Sequence, residues 1–220
     1  MILKKRLFER EEPSEDAKKI FIFCEGKKRE NAYFNYFKAI DSRINIEVYE
    51  LSGQEDNSPW GLYKIAVSSI YGDPKNNILP KYEARPSDEV WLVIDLDTDK
   101  FDSRTPQIAH INAAIATKSN WALVKSNPCF EVWLYYHHLS AKPEIENIDT
   151  CRAWKSYVNT EIPGGFDSRK HPLLISTAIA NAVANFSPNQ LEVGTTEVHL
   201  LGQSIYHTIK DKIDAILGAL

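Results

Sequence analysis

The sequence predicts an α/β fold, a mostly parallel central sheet flanked by helices, with a C-terminal helical extension. Two observations lead there. Short apolar runs alternate with segments of helical spacing in the order β-α-β-α-β-α-β-α, the pattern of parallel strands joined by crossover helices. Beyond Pro143 the strand-like runs give way to helical patterns alone.

The elements follow in order. Residues 1–17 are polar and read as a lead-in. Ile20-Phe21-Ile22-Phe23-Cys24, bounded by Glu25-Gly26, reads as a buried strand. From Arg29 to Ile40, Tyr33, Phe34, Phe37 and Ile40 form a helical stripe. Ile44 to Leu51 alternates apolar and polar residues as a second strand. A loop over Ser52 to Pro59 precedes a helix from Trp60 to Ile70, stopped by Gly72-Asp73-Pro74. Glu89 to Ile94 is the third strand and runs straight into Asp95-Leu96-Asp97. Thr105 to Thr117 is helical, with Ile108, Ile111 and Ile115 on one face. Trp121 to Val124 is the fourth strand. Ser126-Asn127-Pro128 then opens an aromatic helix through Leu139, with Pro in the first turn. Residues 150–158, 173–187 and 199–217 read as helices, separated by the hinge candidate Gly164-Gly165 and by Pro188 to Gly194. A soft boundary near 145 divides a core over 18–145 from an extension over 146–220, which either packs on the core as a unit or belongs to one domain.

At 220 residues and 43% hydrophobic content the chain can bury a full core without disulfides or a structural metal. No apolar run reaches the roughly 18 residues of a membrane span, and the charged N-terminus does not read as a secretory signal. Three cysteines (Cys24, Cys129 and Cys151) without a CxxC spacing argue against a disulfide framework or a zinc finger. Together these point to a cytoplasmic protein with no membrane partner. The net charge of −4 sits awkwardly with a nucleic-acid partner. Lys18-Lys19, Lys27-Lys28-Arg29 and Arg169-Lys170 are nevertheless local basic clusters.

Sites in open α/β sheets form at the carboxyl ends of strands, and there this sequence places acids. Glu25 ends the first strand and Asp95-x-Asp97 the third. Glu131 lies in the helix after the fourth. In extended geometry Asp95 and Asp97 project to the same face. Converging carboxylates repel one another, and a hard cation such as Mg²⁺ relieves that repulsion. Each acid also has a plain structural role: Glu25 in a strand-to-helix turn, Asp95 and Asp97 as loop caps, Glu131 favourable to its helix dipole. Asp95 to Asp99 imitates an EF-hand start, but Lys100 replaces the loop glycine and Pro106 stands where the bidentate Glu belongs. Ser126 and Asn127 either orient a ligand or cap the helix. Lys27, Lys28 and Arg29 are candidate phosphate contacts, or a solvated helix end.

Three segments resemble the RloB-like proteins. Ile22-Phe23-Cys24-Glu25-Gly26 through Glu30 to Tyr33-Phe34 is similar to their opening "EG…E…YF". Val90 to Asp97 resembles their Asp-x-Asp strand. Ser126-Asn127-Pro128-Cys129-Phe130-Glu131-Val132-Trp133-Leu134 is the most specific block, a nearly verbatim "SNPCFE-x-W-L". The resemblance is strong over residues 18 to 140. It implies a Toprim-like core in which Glu25, Asp95 and Asp97 bind Mg²⁺ or Mn²⁺, with Glu30 and Glu131 matching the further acids of OLD-type nucleases. It implies a metal-dependent nuclease acting on DNA or RNA in bacterial phage defence. Lys125, beside the third motif, is a candidate catalytic lysine or substrate contact, or else a solvated lysine, and Asn127 is a further candidate substrate contact. Arg29 departs from the pattern, where a small hydroxyl residue is expected. Members of the family are often encoded beside an ATPase, so the resemblance also implies a candidate ATPase partner of the AAA or ABC type; this chain has no Walker A loop of its own. A non-catalytic subunit that binds such an ATPase, and a homo-oligomer, are further expectations.

Overall fold

The computed structural model describes residues 7–144, 148–187 and 191–219. Its centre is a five-stranded sheet in the order β2-β1-β3-β4-β5. β1 (Lys18–Cys24), β2 (Ile44–Tyr49), β3 (Glu89–Asp95) and β4 (Trp121–Asn127) run parallel, and β5 (Thr195–Thr196) pairs antiparallel with the end of β4. Helices cover both faces, so β1 is apolar on both sides. Ile20, Ile22 and Cys24 join one core cluster, while Phe21 and Phe23 join the other.

The first cluster lies beneath α1 (Arg29–Phe34), α4 (Glu131–Tyr135), α5 (Cys151–Glu161), α6 (Ile175–Ala184) and α7 (Val198–Gly218). Its members run from Ile20 of β1 to Ile213 of α7. The second cluster is built by α2 (Pro59–Tyr71) and α3 (Phe101–Ile115) against Val90, Leu92 and Ile94. Among the described residues no helix is long and apolar enough to cross a membrane.

Several sequence expectations need correction. The aromatic stripe from Tyr33 to Ile40 is buried, but its helix stops at Phe34 and becomes a 3-10 turn over Asn35–Phe37, with Ala39 at φ 57°. Ser126 and Asn127 do not start a helix. β4 continues through both, because β5 offers them a ladder partner: Ser126 pairs Thr196 and Asn127 pairs Thr195. The helix that follows is only Glu131–Tyr135. β5 itself was not expected, since two residues are too few to show a strand period. The helix expected over 173–187 is a 3-10 turn, His171–Leu174, followed by α6, while residues 188–190 lie outside the described ones. Gly164 and Gly165, at φ 79° and 73°, make a left-handed turn after α5.

Candidate functional site

The carboxyl ends of β1 and β3 and the start of α4 open on a cleft of about 560 Å³ at the sheet rim. Glu25, Glu30, Asp95, Asp97 and Glu131 all line it, together with Lys27, Lys28, Arg29, Lys100, Cys151 and Lys155. All five acids singled out in the sequence therefore meet in one place, and the way each is held separates them.

Strand parity sends Glu25 and Asp95 to opposite sides of the sheet. β1 and β3 are in register with Cys24 opposite Val93, and Glu25 N–H donates to the Val93 carbonyl at 3.1 Å. Glu25 thus continues the Phe21/Phe23 side, which faces α3, and Asp95 continues the Val93 side, which faces α1 and α4. Arg104 of α3 grips Glu25 from that side. Its Nη1 donates to Glu25 Oε2 at 2.7 Å, its Nη2 pairs with Oε1, and its Nη1 also donates to the Asp95 carbonyl at 2.8 Å. The Asp95 N–H donates to Glu25 Oε2 at 3.3 Å.

Asp95 accepts the Phe130 N–H at 2.9 Å, which ties the end of β3 to the start of α4. Burial, reinforced by Glu30, Glu25, Cys151 and Glu131, pushes its carboxyl well above the usual range. Asp97 is not on the strand. It sits at φ 48°, its N–H donates to the Pro128 carbonyl at 2.9 Å, and its Oδ2 lies 3.0 Å from Lys100 Nζ. The alternation that would put Asp95 and Asp97 on one face ends at Asp95.

Glu30 is buried, at 8% exposure, in the first turn of α1. Its carboxylate folds back over Gly26: a Cβ on that residue would lie 2.0 Å from Glu30 Oε1. Burial, with Glu131 and Glu25 adding to it against the pull of Lys155, raises Glu30 to about 7. Glu131 is 3% exposed at the start of α4, with Arg29 Nη1 3.3 Å from its Oε1.

Three carboxylates thus carry a cation of their own: Glu25 with Arg104, Asp97 with Lys100, Glu131 with Arg29. Glu30 and Asp95 have none within ion-pair distance among the described residues, and these two are the acids pushed upward. Among the described residues no three His, Cys, Asp or Glu side chains are gathered to hold one ion. Glu25, Asp95 and Asp97 therefore do not share a preassembled point. The donor chemistry still fits a hard cation, since every candidate is a carboxylate and two of them, Glu30 and Asp95, have no ion-pair partner among the described residues. Mg²⁺ is commonly held by one or two carboxylates, with waters and phosphates completing its shell, and Glu30 and Asp95 both line this cleft.

The basic candidates also separate. Lys28 lines the cleft and is exposed. Lys27 lines it too, but its Nζ donates to the Ser52 carbonyl at 2.7 Å. Lys125 is not in the cleft lining; its Nζ lies 3.2 Å from Glu197 Oε1. Asn127 is not a cap or a cleft residue, since its amide donates to the Leu191 carbonyl at 2.8 Å. Ser126 likewise caps nothing and shares a 2.7 Å hydrogen bond with Thr196.

Lys155 in the cleft and Arg104 behind Glu25 escaped the sequence reading. Lys155 stands one turn after Cys151 on α5, and both line the cleft. Against partial burial, Glu131, Cys129, Cys151 and Asp95 hold its ammonium above the ordinary value. Arg104 stands four and seven residues before Ile108 and Ile111. The signal was there, a charged residue in register with the apolar stripe of α3.

A family model described as RloB-like protein matches residues 20–205. Searches of curated proteins and of solved structures return no match. The matched span runs from within β1 to the first two turns of α7 and carries all five cleft acids together with Arg104 and Lys155, and the chain belongs to the RloB-like proteins.

Proposed function

We propose that this chain is a divalent-metal-dependent nuclease, hydrolysing phosphodiester bonds in DNA or RNA in bacterial defence against phage. One observation carries the reading: five carboxylates and a set of basic side chains line a single cleft at the carboxyl edge of a parallel sheet. Glu30 and Asp95 are the residues that would hold Mg²⁺ or Mn²⁺, with Glu25, Asp97 and Glu131 beside them. When bound, such an ion supplies positive charge to a phosphoryl oxygen and makes a water more acidic. The chain's own groups do the rest. Lys28 and Lys155, exposed at the mouth, would meet the phosphate backbone. Glu30 and Asp95 hold their protons tightly and would release them as the ion enters, so ion affinity should rise with pH.

The test is to incubate purified protein with duplex and single-stranded DNA and with RNA, in Mg²⁺, Mn²⁺ or EDTA. Cleavage should need the metal and be lost in D95N; cleavage that ignores both EDTA and D95N sinks the proposal.

The three internal ion pairs favour a second reading, a non-catalytic subunit that binds an ATPase partner, because they leave the acids partly satisfied without an added ion. A Mg²⁺ titration followed by thermal shift separates the two. An ion site stabilises the fold by mass action, whereas no shift alongside tight association with a purified ATPase supports the subunit.

A further inference from the structure

We propose that Arg104 is an internal counter-ion that competes with a divalent cation for Glu25, so that the acidic cleft takes up an ion fully only as Arg104 lets go. This rests on the reading of the cleft as a cation-dependent site and concerns how that site is controlled.

Acceptor bookkeeping gives the first reason. An ionised carboxylate has about four lone-pair sites. On Glu25, two are taken by the Arg104 guanidinium and a third by the Asp95 N–H. Glu25 is left with about one acceptor, on Oε1, and cannot clasp an ion through both oxygens while Arg104 holds it.

The second reason is charge. Burial works against the guanidinium, but Glu25, Asp97 and Asp95 outweigh it and hold its proton more tightly than usual. These are the three acids that the family resemblance assigns to an ion. Arg104 therefore lies in the field of that same trio. An arginine does not lose its proton, so it and an incoming dication repel across the shared acid.

The third reason is cost. Arg104 is 4% exposed, on a helix face otherwise given to Ile111 and Ile115, and its Nε has no hydrogen-bond partner among the described residues. An apolar side chain there would fold with less desolvation. A buried arginine at this position is accounted for by what it does to Glu25.

The experiment is Mn²⁺ titration of the full chain without nucleic acid, read from the electron paramagnetic resonance of free Mn²⁺. The proteins are wild type, R104Q, E25Q and R104Q/E25Q. R104Q should bind Mn²⁺ about tenfold tighter than wild type, the scale of one neighbouring charge, and the gain should vanish when E25Q is added. Equal or weaker binding by R104Q overturns the proposal, as does a gain that survives E25Q. If circular dichroism shows R104Q unfolded, wild type alone decides. The Arg104 Nη–H resonances should be lost as Mg²⁺ is added, and their persistence at saturating Mg²⁺, or a failure of Mg²⁺ to bind, overturns it. Metal-dependent cutting abolished by D95N without any R104Q gain would remove the counter-ion and leave the nuclease. The R104Q gain with cutting indifferent to D95N would do the reverse.

Discussion

Replacing Glu30 by Gln should stabilise the protein at neutral pH, and the size follows from the environment of the carboxyl. Glu30 is held at about 7 in the fold against an ordinary 4.5, chiefly by burial. Between those values the folded chain holds a proton that the unfolded chain has released. Stability therefore falls as pH rises through that window, and the whole penalty is present above pH 7. At about 1.4 kcal/mol per unit the upper bound is roughly 3 kcal/mol, and relaxation of Glu131 and Lys155 should leave about 1–2 kcal/mol. Gln mimics the protonated acid and lacks the penalty. Urea unfolding of wild type and E30Q in EDTA at pH 4.5, 6 and 8 reads this directly. The two should be near equal at pH 4.5 and diverge with pH, E30Q being the more stable. Asp95, which Glu30 pushes upward, should titrate more normally in E30Q, so the residual slope is shallower as well. Added Mg²⁺ should stabilise wild type more than E30Q. A difference constant across pH, or E30Q the weaker at pH 8, refutes the electrostatic account of the cleft.

Other outcomes follow from neighbouring observations. G26A should displace the Glu30 carboxylate, since the new Cβ meets only the end of a flexible side chain; the pH slope should flatten as in E30Q while stability at pH 4.5 changes little, and an unaltered slope in urea titrations counts against it. T150A removes the N-cap of α5, whose hydroxyl accepts the Ala153 N–H at 3.2 Å, and should cost about 1 kcal/mol in chemical denaturation; no loss would mean the cap is idle. His137 is held down to about 3, first by burial, so the fold keeps it neutral while the unfolded chain protonates near 6.5. Stability should then drop as pH falls below 6.5, by at most about 5 kcal/mol at pH 3. H137Q should move the acid midpoint seen by near-ultraviolet circular dichroism to lower pH, and an unmoved midpoint would assign acid unfolding elsewhere.

The four parallel strands were legible because they are long enough to show their period and are bounded by Gly, Pro or acids. What stayed hidden depended on pairing between distant segments. Lys125 reads as a free basic residue until Glu197, 72 positions later, is seen across the strand end. Asn127 reads as a cap until β5 claims its backbone. All five acids were visible, but not their division among partners. That division needs the register of β1 against β3, which no local pattern contains. Once Cys24 is opposite Val93, parity sends Glu25 toward α3 and Asp95 toward α4, and the two acids find different partners.

The same division removes the difficulty raised by the net charge of −4. Phosphate responds to the charge of the cleft, because contributions farther away than about a Debye length of 8 Å are screened at physiological salt. Five carboxylates there face six cations: Lys27, Lys28, Arg29, Lys100 and Lys155 in the lining, and Arg104 behind Glu25. With Glu30 and Asp95 holding protons more tightly than ordinary acids, the balance shifts further toward positive. An acidic protein can thus present a polyanion with a neutral to basic entrance over a floor of carboxylates. Raising the pH through 7 ionises Glu30 and makes the floor more attractive to a dication and less so to phosphate. Binding of nucleic acid without metal should therefore weaken from pH 6 to 8, while metal uptake strengthens. Fluorescence anisotropy with labelled DNA and RNA in EDTA tests the first half of that opposition, and equal affinity at both pH values would mean that the carboxylate floor does not face the strand.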